Sequence, residues 1–259
     1  FGSNARIIFD MREDFPEHML IKDYLPRPVR WAAYRTIRWL ENTASRRCDG
    51  FVYADHFTMP NHPTMPEQRK VVFYNYPLLS LFKRNLVPWS EREYDLVMLE
   101  SMGHTSGVHI VIEALAQLHR KRPDLRALLI GQPRLTGFDK TICSLGLAEV
   151  VEVTGRLPHT QIPSLLDQCR IGVIGLLDRP KFHKNIAMKM FEYWAKGLVV
   201  ISPDLPPERH YLRHGEDGYL YPPGDSVALA AAADRLLSNP AGAEQMSRSV
   251  RQRLEAEPF

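Results

Sequence analysis

Cysteine is scarce in this sequence. Cys48, Cys143 and Cys169 are widely spaced and odd in number, and they form no C-x-x-C pair. That excludes a disulfide framework and a structural zinc site of the usual spacing. Long apolar runs are missing too. The longest, Ile171-Gly172-Val173-Ile174-Gly175-Leu176-Leu177, is the length of a strand, whereas a spanning helix needs about 20 such residues, so an integral membrane protein is excluded. Neither sign of charge dominates, since 33 Lys and Arg against 30 Asp and Glu leave a net charge of +3. So small an excess does not by itself indicate nucleic-acid binding, although it suits phosphate-bearing small molecules or an acidic membrane surface. An initiator Met is also absent. The chain opens Phe1-Gly2-Ser3-Asn4-Ala5 and reaches an apolar run at once, so Ser3-Asn4-Ala5 reads as a tag scar and something upstream is expected to be missing. With no secretory signal pattern, a reducing, cytoplasmic compartment is expected.

What is present is ordinary globular composition: 259 residues, 44% hydrophobic and 24% charged. At roughly 150 residues per domain this length suggests two domains. Ile7-Ile8-Phe9 reads as a strand ending at Asp10. A helix is expected from Val29 to about Arg46, with Ala33, Ile37, Leu40 and Ala44 on its apolar face and Arg35, Arg38 and Arg46 outward. Gly50 to Ala54 is the next strand, followed by a Pro-rich loop over Met59 to Pro66. Lys70 to Tyr74 reads as a buried strand stopped by Asn75-Tyr76-Pro77.

Residues 78–91 show no period and read as a linker. Beyond them strands (Tyr94–Leu99, Arg126–Ile130, Val150–Thr154, Ile171–Leu177, Leu198–Ser202, Gly218–Tyr221) alternate with helices (Val108–Arg120, Ile162–Cys169, Ile186–Lys196, Pro207–Arg213, Ser226–Leu237). A polar helix follows over Ala243–Glu255. Strands alternating with helices predict a parallel sheet covered on both faces. The expected organisation is thus a partial domain over 6–77, the linker, a nearly complete α/β domain over 92–240 and a terminal helix over 241–259.

In such folds ligands meet the carboxyl ends of strands and the helix N-termini beyond them. Two segments fit. Gly103-His104-Thr105-Ser106-Gly107 joins a strand to the Val108 helix and suits a phosphate, or is simply a turn. Arg179-Pro180-Lys181-Phe182-His183-Lys184-Asn185 precedes a helix on which Lys189 and Glu192, three apart, share a face. A carboxylate there can accept both hydroxyls of a ribose while lysines neutralise a diphosphate; the other reading is a surface ion pair. The histidines have no metal spacing, and no G-x-S-x-G elbow exists. Lys22, Arg27, Arg30, Arg35, Arg38, Arg46 and Arg47, with Trp31, Tyr34 and Trp39 among them, could rest on anionic lipid headgroups or form a solvated face.

The segment Asn185-x-x-x-Lys189-x-x-Glu192-Tyr193-x-x-x-Gly197-x-Val199-Val200-x-Ser202 resembles the retaining glycosyltransferases of group 1 (family 4). Further matches are Gly131 and Gly155 after their strands, Gly215-x-x-Gly218 with Pro222-Pro223-Gly224-Asp225, and, upstream, Ile7 to Glu17, Asp49-Gly50-Phe51-Val52 and Asn75-Tyr76-Pro77. The resemblance covers nearly all of residues 6–250. It implies a GT-B architecture: a doubly wound parallel-sheet C-terminal domain that holds a UDP- or GDP-linked sugar, preceded by a partial, N-terminally truncated Rossmann-like acceptor domain. The implied reaction moves the sugar to a hydroxyl of a saccharide or lipid-linked acceptor, with no metal and no protein nucleophile. Lys189 and Lys184 are the implied catalytic cations. Glu192, Asn185, Lys181, Thr105, Ser106, Gly107, Gly131 and Arg134 are the implied donor-binding residues, and the terminal helix is expected to cross back towards the first domain. Nucleic acid is not an expected partner, and a peripheral membrane contact through 22–47 is. Four residues depart from the family pattern. Lys184 replaces the first Glu of its carboxylate pair, Ala187 replaces a proline, Ser106 replaces a basic residue before Gly107, and Glu100 stands where a glycine is usual. They leave open an alternative, a non-catalytic GT-B protein that binds a ligand or partner.

Overall fold

A computed structural model describes residues 5–256 except 23, 60–65, 75 and 84–86. The tag-like Ser3-Asn4, most of the Pro-rich loop and Asn75 lie outside the described residues. The chain divides into two compact units, Phe1–Asn75 with Arg179–Ile186, and Tyr76–Asp178 with Ala187–Phe259.

The first unit has three parallel strands, β1 (Ile8–Met11), β2 (Gly50–Tyr53) and β3 (Lys70–Val72), in the order β1-β2-β3. Met11, Cys48, Phe51 and Tyr53 form its core. Asp14, fully buried, caps the short helix α1 (Phe15–Leu20) by accepting the Glu17 N–H at 3.0 Å. Both its oxygens also accept Nη2 of Arg38, at 3.0 Å each, from helix α2 (Arg27–Ser45). This pair sets the rotation of α2 and corrects the expected face: Glu41 and Ser45 are buried and Arg38 points inward, while Leu40 and Ala44 are exposed. β3 is shorter than expected and half-exposed rather than buried, because among the described residues it is an edge strand, paired with β2.

Residues 179–186, which the sequence groups with the second domain, belong to this first unit. Their 3-10 turn Pro180–His183 is held by Lys181 Nζ on Glu13 at 3.0 Å and by the neighbouring Lys184 Nζ on Glu17 at 3.0 Å.

The second unit is a six-stranded, all-parallel sheet: β4 (Tyr94–Leu99), β5 (Ala127–Ile130), β6 (Val151–Gly155), β7 (Cys169–Val173), β8 (Val199–Pro203) and β9 (Gly218–Tyr221), ordered β6-β5-β4-β7-β8-β9. The chain starts at β4, winds outward through β5 and β6, and returns to β4's other side at β7. This is the doubly wound pattern, and the loops after β4 and β7 diverge at its switch point. Its helices are α3 (Val108–Lys121), α4 (Phe138–Ser144), α5 (Ile162–Leu166), α6 (Lys189–Ala195), α7 (Pro206–Tyr211), α8 (Ser226–Ser238) and α9 (Pro240–Ala256). Leu96, Met98, Val111, Leu115, Leu129, Val173, Ile201 and Leu229 are among the side chains that fill its core.

Several boundaries differ from expectation. α4 carries only two buried apolar residues, Phe138 and Ile142, too few to show a period. α6 begins at Lys189 rather than Ile186: the Met190 and Phe191 N–H groups donate to the carbonyls only three residues back, Ala187 and Met188, so the chain enters the helix through a tighter turn, while the N–H groups of Ile186 and Ala187 donate to Asp55 and Glu208. The described part of 78–91 is tied into the second unit: Phe82 and Trp89 are buried, and the Phe82 carbonyl accepts Nη1 of Arg251 at 2.9 Å from α9. α9 packs on α6 and α8.

Candidate functional site

The orientation of α6 follows from one close approach. Gly172 in β7 lies flat beneath Tyr193, and a Cβ at that position would fall 2.3 Å from the tyrosine ring. The Tyr193 hydroxyl, fully buried, accepts the N–H of Leu99 at 2.7 Å. Burial raises this phenol well above its ordinary range, so it stays neutral. With Tyr193 anchored inward and Met190, Phe191 and Trp194 also buried, the helical period turns Lys189 and Glu192 to the opposite side. There they line a cavity of about 530 Å³ at the carboxyl ends of β4, β5 and β6, together with Leu99, Glu100, Ser101, Ile130, Gly131, Gln132, Arg134, Arg156, Leu157, His159, Ile162 and Met188. The volume lies in the range of small-ligand sites.

Both anchors of α6 are already engaged. Lys189 Nζ forms an ion pair with Oε2 of Glu100, and Glu192 Oε1 lies 2.9 Å from Nε2 of His159. Glu100 Oε1 accepts the Ser101 N–H at 2.9 Å and faces the Ser101 hydroxyl at 3.4 Å. Gly131 explains how the ends of β4 and β5 come so close: its φ is 141°, and a Cβ there would sit 1.9 Å from the Glu100 carbonyl oxygen. Among the described residues no group of three His, Cys, Asp or Glu side chains is placed to hold a metal ion.

The sequence-predicted residues divide into three sets. Lys189, Glu192, Gly131 and Arg134 converge on the cavity. Thr105, Ser106 and Gly107 form a turn that is not part of its lining; the Ser106 hydroxyl donates to the Gly103 carbonyl at 2.7 Å. Gly107 is required by packing, since at its φ of 66° a Cβ would overlap the Gly175 carbonyl oxygen at 1.6 Å. Lys181, Lys184 and Asn185 belong to the first unit, where the two lysines pair with Glu13 and Glu17. Gln132, Arg156, Leu157 and His159 were not singled out from the sequence. The available signal was their position just past Ile130 and Gly155, at the carboxyl edge where such sheets bind ligands.

A smaller cavity of about 150 Å³ at the amino ends of β4 and β8 is lined by Arg92, Lys196 and Arg251. Arg92 donates to the carbonyls of Cys169 and Gly197, at 3.0 and 3.1 Å, and Lys196 pairs with Asp167 at 2.7 Å. These contacts hold the ends of β7 and α6. In the first unit, α2 exposes Trp31, Trp39 and Leu40 alongside Arg27 and Arg35, with the exposed Arg46 just past its end. Among the described residues no helix is long and apolar enough to cross a membrane.

Comparison with known proteins is consistent with this geometry. The family model for glycosyl transferases group 1 matches residues 82–253. The chain is 26% identical over 145 residues to an alpha-D-kanosaminyltransferase of Streptomyces kanamyceticus, covering 56% of this chain and 36% of that protein. It is 26% identical over 166 residues to a glycogen synthase of Mycobacterium tuberculosis, covering 63% of this chain and 38% of the relative. Among solved structures, Anabaena HepE in complex with UDP and glucose superposes with a TM-score of 0.72 at 18% identity, over 96% of this chain and 66% of that one. A sucrose-phosphate synthase of Thermosynechococcus elongatus gives 0.75 at 17% identity, over 98% and 64%. The chain therefore spans little more than a third of those curated relatives and just under two thirds of those solved chains.

Proposed function

The chain belongs to the glycosyl transferases group 1 family, and from that premise we propose that its second unit holds the nucleotide-sugar donor of a retaining glycosyltransferase. The observation that carries this reading is the placement of Lys189 and Glu192 on one face of α6, at the wall of the cavity beyond β4 and β5. Glu192 accepts the two ribose hydroxyls of a UDP- or GDP-linked sugar, a role for which it exchanges its His159 contact. Lys189 faces the diphosphate, with Arg134 and Arg156 as further cations of the lining. HepE has been solved in complex with UDP-glucose, and TarM of Staphylococcus aureus in complex with UDP, which supports a uridine donor.

In the reaction, the bond from the anomeric carbon to the diphosphate oxygen breaks and its electron pair stays on that oxygen. The acceptor hydroxyl oxygen bonds the anomeric carbon from the same face, and its proton passes to the departing diphosphate. Lys189 stabilises the charge that grows on the leaving group, an interaction stronger in the transition state than in the bound donor. The acceptor is a saccharide or lipid-linked hydroxyl. The exposed Trp31, Trp39 and Leu40 among the arginines of α2 support a peripheral contact with an anionic membrane surface.

One observation favours a second reading, ligand binding without transfer: Ser106 brings no cation to the Gly103–Gly107 turn, and its hydroxyl is taken by a carbonyl. Calorimetric titration with UDP, GDP and their sugars tests the donor site. One nucleotide series is expected to bind, and Glu192→Ala to weaken it about tenfold or more, as for loss of charge-assisted hydrogen bonds. Absence of binding at millimolar nucleotide to folded protein overturns the donor reading. Binding without sugar transfer to any acceptor in the presence of the whole protein favours the second.

A further inference from the structure

Resting on the donor-site reading above, we propose that Glu100 is a specificity-determining residue that makes the site discriminate between the sugar-carrying donor and the free nucleoside diphosphate left after transfer. Glu100 follows directly on β4 and lines the cavity with its side chain only 18% exposed. Both its oxygens are held, Oε1 by Ser101 and Oε2 by Lys189. Its backbone is held as well, by the close approach of Gly131 to its carbonyl. The carboxylate is thus fixed in place, and the cation expected to meet the diphosphate is already partly neutralised by it.

The chemistry of donor and product gives that arrangement a consequence. In a nucleotide sugar the outer phosphate is esterified and carries one charge. Once the sugar has left, that phosphate is terminal, with a second ionisation near 6, and carries about −1.5 to −2 at pH 7. The extra charge sits on the outer phosphate, the end that Lys189 and therefore Glu100 face. Like charges at short range in a half-buried site repel far more than in water. Glu100 consequently disfavours the product more than the donor and promotes its release. A glycine at this position has no charge with which to tell the two ligands apart. Glu192, the other carboxylate of the lining, is assigned to the ribose, which has the same charge in both ligands, so it does not discriminate.

The test compares affinities for UDP and UDP-glucose, with GDP and GDP-mannose in parallel, across the wild-type protein, Glu100→Gln and Glu100→Asp at pH 7.5. For the nucleotide series that binds, Glu100→Gln is expected to tighten the free diphosphate about tenfold more than the sugar nucleotide. Glu100→Asp, which keeps the charge, is expected to stay near the wild-type ratio. In parallel, acylation of the Lys189 amine by a small reagent, mapped by mass spectrometry, is expected to speed up in Glu100→Gln, where the ion pair is gone. Equal shifts for both ligands, or no shift, with nucleotide still bound, overturn this proposal and leave the donor site standing. If no folded variant binds any nucleotide, the donor reading fails and this proposal fails with it.

Discussion

Glu192 and Tyr193 are neighbours in sequence with opposite tasks, and the second makes the first usable. Tyr193 is locked between Gly172 and the Leu99 N–H, so the rotation of α6, and with it the direction of Glu192, depends on two positions outside the helix. Removing the hydroxyl in Tyr193→Phe leaves a buried N–H without its acceptor and is expected to cost about 1–3 kcal/mol. Gly172→Ala drives a methyl group into the ring and is expected to cost about 1–3 kcal/mol as overpacking. Urea denaturation checks both, and unchanged midpoints would mean that α6 is not oriented by this contact. At this scale the sequence was informative where the contact is local: the three-residue spacing of Lys189 and Glu192 puts them on one face of a helix. It was silent on His159, 33 residues before its partner Glu192, because no periodicity relates them.

Among the elements, α2 shows what happens when an ion pair outweighs an apolar stripe. The buried Asp14 draws Arg38 inward, which brings Glu41 with it and leaves Leu40 outside. Burial raises the Glu41 carboxyl to about 7, with Arg38 opposing the rise and Asp14 adding to it. A carboxyl whose folded value lies above its unfolded one binds more protons when folded, so it lowers stability as pH climbs from about 4.5 to about 7, with no further change above. Glu41→Gln is therefore expected to stabilise the protein by about 1–2 kcal/mol at pH 8 and by little at pH 4.5, a discounted value because Arg38 shares the site. Denaturation at the two pH values decides the matter. A gain that does not depend on pH would show that Glu41 titrates normally. The strands of the second unit were far more legible than this helix, since β4, β5, β7 and β8 are short, mostly apolar and largely buried on both faces, with Asp95 and Arg170 as the charged exceptions.

For the molecule as a whole, the path of the chain matters more than the order of its motifs. Lys184 and Lys189 are five positions apart in sequence, yet one belongs to the first unit and the other to the second. If Lys181 and Lys184 serve chiefly to hold the 179–186 segment to Glu13 and Glu17, the double variant Lys181→Met, Lys184→Met should lose stability. Its nucleotide affinity should stay within about twofold of wild type, less than the ~0.5 kcal/mol typical of substitutions that do not touch a site. Lys189→Met should behave the other way round. Thermal denaturation and nucleotide titration on the same samples separate the two; a tenfold affinity loss in the double variant would restore those lysines to donor binding.

The sequence by itself determined the α/β class, most strands of the second unit and the shared face of Lys189 and Glu192, because alternation and helical spacing are local properties written into consecutive residues. Only the tertiary structure decided that Glu100, 89 residues away, would neutralise Lys189 and that His159 would reach Glu192. Those contacts depend on sheet order, which brings the ends of β4, β5 and β6 and the start of α6 together from distant parts of the chain. Few cysteines and no long apolar run bounded the class of molecule, and the order β6-β5-β4-β7-β8-β9 placed the residues of the candidate site side by side.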